Sequence, residues 1–456
     1  MKNLSRKRLL SLAITATVAL ASTAAQATNG YFSIGYGPSS RALAGATTAL
    51  PQDAMAAAVN PANMGLVGSR ADLSVTLFSP IREATSNFGN PGAGTSFTAN
   101  SDKNYFIFPN FGYTRKLNDQ MTAGITVYAN GGLNTEYAPG ATSPSAGVNL
   151  FGSDGRLGVN LAQLIFAPTI AYSVNEHHTF GASLLIGYQT FKAYGLQNFC
   201  GLKGDGTCNP MTGAGIGSAA ANDGLTNQGT DNAYGLGVRV GWTGKLSDTV
   251  TVGAAYSSKI YMKRFKKYDK LFAEQGDFDI PANASIGIAV KANPKWTITG
   301  DVQWIGYSDV KSINNPGPSL TNAANVFADG QGFLGTDNGL GFGWENVTVF
   351  KLGAVYEHDS VWAWRMGISY GQNPIRNDQL AFNILAPAVV ETHATVGFRY
   401  RPTGNPNNEW NVAYMHAFTN SENGPFPAAF GGDGVSDQTR LNMYQHAFEI
   451  GYTWKF

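Results

Sequence analysis

Tyr444-Gln445-His446-Ala447-Phe448-Glu449-Ile450-Gly451-Tyr452-Thr453-Trp454-Lys455-Phe456 is the stretch whose reading decides the fold. Tyr444, His446, Phe448, Ile450, Tyr452, Trp454 and Phe456 share one face, mostly apolar and aromatic. Gln445, Ala447, Glu449, Gly451, Thr453 and Lys455 share the other, small or polar. A period of two is the signature of a strand with one greasy side. A soluble sandwich shows the same alternation, but it has no special use for a terminal aromatic residue. Barrel-assembly machinery recognises such an ending on outer-membrane barrels, so Phe456 is expected to be read by it.

The same template, moved along the chain, predicts fourteen strands. They fall at about 70–84, 104–117, 121–137, 157–173, 179–194, 232–245, 249–265, 281–291, 295–310, 346–357, 361–371, 388–402, 409–419 and 442–456. Their connections alternate in length. Short ones carry turn chemistry, as in Asn118-Asp119-Gln120, Leu246-Ser247-Asp248 and His358-Asp359-Ser360. Long ones fill 85–103, 138–156, 195–231, 266–280, 311–345, 372–387 and 420–441. Short periplasmic turns alternating with long external loops, and an even strand count, describe an all-β transmembrane barrel of antiparallel strands. Two strands show the faces. Trp296, Ile298, Val302 and Trp304 oppose Thr297, Thr299, Asp301 and Gln303, and Trp362, Trp364, Met366, Ile368 and Tyr370 oppose Ala363, Arg365, Gly367 and Ser369. The charged side chains therefore point to a lumen, since a charge facing lipid costs roughly 2–4 kcal/mol at the bilayer midplane.

Composition agrees. Charged residues make up 13% of the chain and aromatics 12%, with 55 glycines; soluble domains carry about 25% charged residues. Lys2, Arg6, Lys7 and Arg8, the apolar run Leu9–Ala21, and Ala25-Gln26-Ala27 read as a signal peptide over 1–27. That run is shorter than the roughly 20 residues a spanning helix needs. Losing its four positive charges leaves 27 basic against 30 acidic residues, a balance that gives no reason to expect nucleic acid. Cys200 and Cys208, the two cysteines, stand close together in a Gly/Asn/Asp-rich stretch, and export makes a loop-stapling disulfide plausible. A secreted β-solenoid or an adhesin is the alternative class.

Residues 28–69 precede the strands of the 70–456 barrel and do not read as a strand. Arg41-Ala42-Leu43-Ala44-Gly45-Ala46 and Asp53-Ala54-Met55-Ala56-Ala57-Ala58 are helix-like, are broken by Pro51, and are expected to stop at Asn60-Pro61. A compact helical piece ahead of a closed barrel is most cheaply buried inside it, as an N-terminal hatch plugging the lumen. In the third strand, Asn130-Gly131-Gly132 places a glycine pair where a bulge or bend is expected.

Gly35-Tyr36-Gly37, Arg41–Ala46, Asn60-Pro61-Ala62, the run Pro281–Ala289, Lys295-Trp296-Thr297, Asp301-Val302-Gln303-Trp304, Trp344, Leu352-Gly353-Ala354 and Arg365-Met366-Gly367 together resemble the FadL/TodX family of the Gram-negative outer membrane. Its members transport long-chain fatty acids and aromatic hydrocarbons. The resemblance spans essentially the whole mature chain. It implies passive capture of hydrophobic small molecules among external loops, transfer to a lumenal pocket, and lateral exit into outer-membrane lipid at an inward kink of the third strand. That kink, matched here by Asn130, Gly131 and Gly132, is expected to meet the hatch near Asn60, Pro61 and Ala62. The family's mature N-terminus reaches into the pocket, which assigns Tyr31 and Phe32 a gating role. Lys351, Arg365 and Arg399 face the lumen by alternation and are candidates for an acidic head group. The loop around Cys200–Gly217 departs from the family. A self-plugged barrel needs no partner, so a monomer is expected.

Enzyme readings fare worse. Gly367-Ile368-Ser369-Tyr370-Gly371 fits G-x-S-x-G, with His393 and Glu391 on the next strand, and suggests a serine lipase. A nucleophile elbow, however, needs a strand-to-helix turn. The six histidines show no metal-ligand spacing, and the Gly213–Gly217 and Gly339–Gly343 clusters match no nucleotide loop. No cofactor or metal is expected.

Overall fold

The computed structural model describes residues 29–86, 96–140, 147–203, 221–317, 332–426 and 438–456. The signal segment 1–27, Thr28 and Cys208 lie outside the described residues.

Each alternating segment becomes a strand hydrogen-bonded to its sequence neighbours, and the last pairs with the first. The ring is β1 Arg70–Ser86, β2 Phe106–Lys116, β3 Met121–Tyr137, β4 Leu157–Ser173, β5 His178–Tyr194, β6 Asp231–Lys245, β7 Val250–Ser257, β8 Asn283–Lys291, β9 Trp296–Ile305, β10 Val347–Glu357, β11 Trp362–Gly371, β12 Thr392–Tyr400, β13 Asn408–Pro425 and β14 Gln438–Lys455. Closure runs from Arg70↔Lys455 to Thr85↔Arg440. The barrel therefore has fourteen antiparallel strands. Two short pieces sit on it: Phe97–Asn100 beside the end of β1, and Tyr261–Met262 beside β6.

The faces sort as the alternation requires. On β14, Phe448, Ile450 and Trp454 are exposed while Ala447 and Glu449 are buried. On β9 and β11, Ile298, Met366 and Ile368 face out while Asp301 and Arg365 are buried. An apolar outside wrapped around a polar inside is stable only in lipid. At the short-turn end, aromatic pairs line the rim: Trp296 with Tyr356, Trp362 with Tyr400, and Trp410 with Tyr452, ring centroids 4.6–4.8 Å apart. Rings of this kind sit at a membrane interface.

Five strand boundaries differ from the expectation by four residues or more, among them the start of the fourteenth at Gln438 instead of 442. The seventh strand ends at Ser257 instead of 265, because Ile260, Met262 and Phe265 turn inward into the core while the consecutive Lys263 and Arg264 stay out. The ninth ends at Ile305; Gly306 breaks it, and a 3₁₀ turn over Tyr307–Asp309 follows. The twelfth starts at Thr392 instead of 388, since the continuous apolar run Ala388–Val390 is buried on every side. The thirteenth continues past 419 to Pro425 through a bulge between Ala417 and Asn420.

Residues 29–68 fill the lumen as a plug with little regular helix. One α-helical turn, α1 Pro38–Arg41, is followed by 3₁₀ turns at Ala54–Ala58 and Pro61–Leu66. The longer helices expected over 41–46 and 53–58 do not form, because the small residues are used for close approach to the wall. Gly367 makes room on β11: a Cβ there would lie 2.5 Å from the Leu43 carbonyl carbon. The run does stop at Asn60-Pro61: the turn over Ala54–Ala58 ends before an extended Asn60, and a separate turn begins at Pro61. The Asn60 side chain accepts from the Ala62 N–H (3.1 Å) and caps the next turn, with Pro61 in its first position.

Polar bonds fix the plug to the inward faces. Arg41 Nε donates to Glu449 Oε2 at 2.7 Å, both side chains almost fully buried, and Glu449 also accepts from Ser74 and Asn110. The Thr48 N–H donates to Asp301, the Ala54 N–H to Asp72, and Thr395 Oγ1 to the Ala42 carbonyl. A buried pair is held this tightly because separating it leaves a desolvated charge.

Candidate functional site

The wall is discontinuous beside β3. β2 and β3 pair from Phe111↔Val127 down to Lys116↔Thr122. Beyond Val127, β3 keeps its partner β4 as far as Tyr137↔Leu157, but β2 residues Phe106–Asn110 pair with β1 alone. Two features of the sequence produce the separation. The β3–β4 register slips between Ala129 and Gly131, leaving Asn130 as the extra residue of a bulge, which bends the strand. Pro109, which the continued register would place opposite Ala129, lacks an N–H to offer.

The freed edge of β3 is taken by the segment Asn29–Ser33. Phe32 bridges Gly131, and the Ser33 N–H donates to the Asn130 carbonyl at 3.1 Å. Gly131 is required here, since a Cβ on it would lie 1.7 Å from the Tyr31 carbonyl oxygen. Above the break, Arg82 of β1 reaches across to the carbonyls of Asn134 and Lys103, and Ser101 bridges Tyr137. A small cavity lies beside the kink, lined by Phe78, Arg82, Gly132, Leu133 and Met443 among others.

Inside, Tyr31 and Phe32 occupy an aromatic pocket. Tyr31 is 0% exposed and Phe32 2%. The Tyr31 ring lies 5.5 Å from Tyr307, 6.0 Å from Trp344 and 6.3 Å from Phe278, and Phe32 lies 5.9 Å from Tyr307. Tyr307 Oη accepts the Tyr31 N–H at 3.1 Å and donates to the Asn29 carbonyl. Trp344 Nε1 is held by Asn383 Oδ1 at 2.6 Å. A polar ladder backs the pocket: Tyr36 Oη donates to Asn130 Oδ1, Asn130 to Gln163, Gln163 to Gln189, and Gln189 to the Phe278 carbonyl. The break and the pocket are thus two sides of one N-terminal segment.

The family model described as outer membrane protein transport protein (OMPP1/FadL/TodX) matches residues 12–426. The chain belongs to this family. Among FadL/TodX relatives, the long-chain fatty acid transport protein of Escherichia coli K12 is 22% identical over 357 residues, 72% of this chain and 74% of the relative. The crystal structure of the Pseudomonas putida toluene transporter TodX matches with a TM-score of 0.67 at 19% identity, covering 93% of this chain and 99% of that one. A Pseudomonas aeruginosa FadL homologue gives 0.65 at 16% identity, covering 94% and 100%. An outer-membrane β-barrel that transports hydrophobic molecules is what this family supplies.

Within this FadL/TodX chain, the expected site residues fall into three groups. Tyr31, Phe32, Asn130 and Gly131 meet, and Gly132 lines the neighbouring cavity. Asn60, Pro61 and Ala62 do not join them. Asn60 Nδ2 donates to the Thr48 and Trp242 carbonyls and to Thr243, and the Pro61-Ala62 backbone packs over Gly181, so this turn is seated on β5 and β6. It reaches β3 lower down, where Met64 covers Gly124. The three cations are also apart. Lys351 Nζ donates to Gln303 (2.8 Å) and the Ile34 carbonyl (3.4 Å) beside the pocket segment. Arg365 is bound to Gln52 and Asn411, and Arg399 to Glu357 at 2.7 Å. Cys200 is buried and disulfide-bonded; its expected partner Cys208 lies outside the described residues.

Ser369 Oγ and His393 Nδ1 are 3.3 Å apart, as the strand register predicts. Ser369 lies within β11, not on an elbow, and Glu391 directs its carboxylate to the Asn373 N–H. Among the described residues no orienting acid is hydrogen-bonded to His393. Sequence reasoning passed over Phe278, counted Tyr307 in the ninth strand, and singled out Trp344 only for its resemblance to the family, without a place in the pocket. They stand in loops, where no period marks which side chains turn inward; the nearest signal is the strand-breaking Gly306 before Tyr307.

Proposed function

We propose that the chain carries apolar molecules passively from the external loops to the pocket now occupied by Tyr31 and Phe32, and releases them sideways through the break beside β3. The observation that carries this reading is the Phe32–Gly131 bridge, because one segment both fills the pocket and seals the opening. An entering ligand that displaces the two rings would uncover both at once. The driving force needs no energy source, since each buried CH₂ is worth about 0.8 kcal/mol.

Long-chain fatty acids are the favoured cargo. Lys351, next to Ile34, forms no ion pair among the described residues and offers a carboxylate a partner. Monoaromatic hydrocarbon is the second reading, favoured by the aromatic lining of Tyr307, Trp344 and Phe278. The closed ring with its own plug supports a monomer. The test is uptake of labelled oleate and labelled toluene by cells lacking their own apolar transporters, with and without this protein at verified surface levels. Oleate alone supports the first reading and toluene alone the second. Uptake of neither, by a folded surface protein, removes both and leaves the adhesin reading.

A further inference from the structure

Between β7 and β8 the chain reads Lys259-Ile260-Tyr261-Met262-Lys263-Arg264-Phe265-Lys266-Lys267-Tyr268, half of it cationic. Its apolar members Ile260, Met262, Phe265 and Tyr268 are buried, and Tyr261, Lys263, Arg264, Lys266 and Lys267 are exposed. The backbone is pinned. Ile260 bridges Ile280, Met262 N–H donates to Asp279, Phe265 N–H donates to the Gly276 carbonyl, and Tyr261–Met262 pairs with Leu236 and Gly235 on β6.

The height of this platform is set by β6. Trp242, Val240, Val238, Leu236 and Tyr234 succeed one another outward on its lipid-facing side. The eight residue steps from Trp242 to Tyr234 span roughly 20 Å along the normal once strand tilt is included, close to the thickness of the apolar band. Tyr234 and the 66% exposed Tyr261 therefore sit at the outer interface. Lys263 Nζ caps the Tyr234 ring at 4.3 Å from its centroid, and Lys259 Nζ lies over Tyr261 at 5.0 Å. Tyr188 stands opposite Tyr234 on β5.

Three nearby carboxylates are spoken for, while Asp277 feels the charge of Lys259 and Arg264 without an ion pair among the described residues. Asp279 takes Lys259 at 3.1 Å, Asp223 takes Lys270 at 2.7 Å, and Asp231 accepts the Lys267 N–H. Lys263, Arg264, Lys266 and Lys267 form no ion pair among the described residues. Four exposed cations thus stand immediately above a tyrosine row and an apolar wall.

We propose that this platform is a binding site for the phosphate groups of the outer leaflet's lipid A, whose acyl chains lie along Leu236, Val238 and Val240. The arrangement stacks what such a lipid presents in the same order: chains, interface, then phosphate. It is independent of the transport reading, because these side chains face outward, away from Tyr31 and the β3 break.

The test uses the full protein purified in detergent, titrated with diphosphoryl lipid A or with lipid A stripped of its phosphates, and bound lipid counted by native mass spectrometry. A Lys263→Gln/Arg264→Gln/Lys266→Gln variant is compared with Lys116→Gln at the opposite rim. The expected result is preferential retention of diphosphoryl lipid A, weakened about tenfold or more in the triple variant, with Lys116→Gln and oleate uptake unchanged. Equal retention by the triple variant, equal retention of the stripped lipid, or equal retention of phosphatidylglycerol overturns the proposal. If the triple variant lacks the heat-modifiable band of a folded barrel, 0.5 M salt on the native protein serves instead, where undiminished retention overturns it.

Discussion

Gly131→Ala adds one methyl group at the point where the Asn29–Ser33 segment touches the wall. The Cβ would lie 1.7 Å from the Tyr31 carbonyl oxygen, so that oxygen must retreat by about 2 Å to reach ordinary contact. Gly131 has no positive φ, so alanine adds no backbone strain of that kind. What is lost is the docking of Asn29–Ser33. The Ser33–Asn130 bond is worth about 0.5–1.5 kcal/mol net, and withdrawing Tyr31 and Phe32 from their pocket forfeits roughly 1.5–3 kcal/mol each. Roughly 3.5–7.5 kcal/mol is at stake, a range that spans the roughly 5.5 kcal/mol that turns a 99:1 equilibrium over. A ligand that must first displace the segment binds more weakly by the fraction of protein already open. Gly131→Ala is therefore expected to raise oleate affinity by up to about a hundredfold, measured by titration of the protein in lipid nanodiscs, and to speed amide exchange over Asn29–Ser33. A folded, heat-modifiable variant with unchanged affinity and unchanged exchange would refute the gating argument.

Arg41→Ala leaves Glu449 buried without its cation and is expected to cost about 3–5 kcal/mol, read as a lower urea midpoint for loss of the compact gel band; Arg41→Met with Glu449→Met should recover most of it. Locking the plug with Gly65→Cys/Ala171→Cys, whose Cβ atoms stand 3.3 Å apart, should leave uptake intact, because the proposed lateral route would not require the plug to leave. Loss of uptake on oxidation and its return on reduction would show that the plug itself must move. Asp277, in the loop beneath the basic platform, is pushed up to about 6 by burial, and further by the charges of Asp279 and Glu274. The folded state then holds its proton more tightly than the unfolded one, so its contribution is complete below about pH 4 and is lost as the pH rises through 6. Rate-corrected amide protection over 265–280 should fall from pH 4 to pH 7.5, and Asp277→Asn should flatten that change; an unaltered profile in the variant would assign the effect elsewhere.

The barrel was legible because lipid on one side and a lumen on the other impose a strict period of two, and each wall strand had to obey it. Legibility ended where that constraint ended. Tyr307, Trp344 and Phe278 belong to connections that dive into the lumen, and an aromatic residue in a loop looks the same whether it turns in or out. Ala388–Val390 was read as strand because a buried apolar run carries no period to distinguish wall from filling. The glycine pair of β3 announced a bend, but not what the bend would receive. Resemblance supplied Asn60-Pro61-Ala62 as its neighbour, and the structure supplies Tyr31–Ser33 instead.

That substitution of neighbours changes which part of the plug is free to act. Arg41, Thr48, Asn60 and Asn63 are tied by buried bonds to β14, β9 and β6, and breaking them strands charges and amides in a dry interior at about 1–3 kcal/mol or more apiece. Asn29–Ser33 is attached to the wall through the short bridge at Gly131, the bond to Asn130 and the hydroxyl of Tyr307. Among the described residues its two rings, Tyr31 and Phe32, add apolar contact, which an incoming hydrocarbon replaces in kind. The segment that can be exchanged for cargo at least cost is therefore the one that closes the wall, which is why we expect cargo binding and wall opening to be a single event.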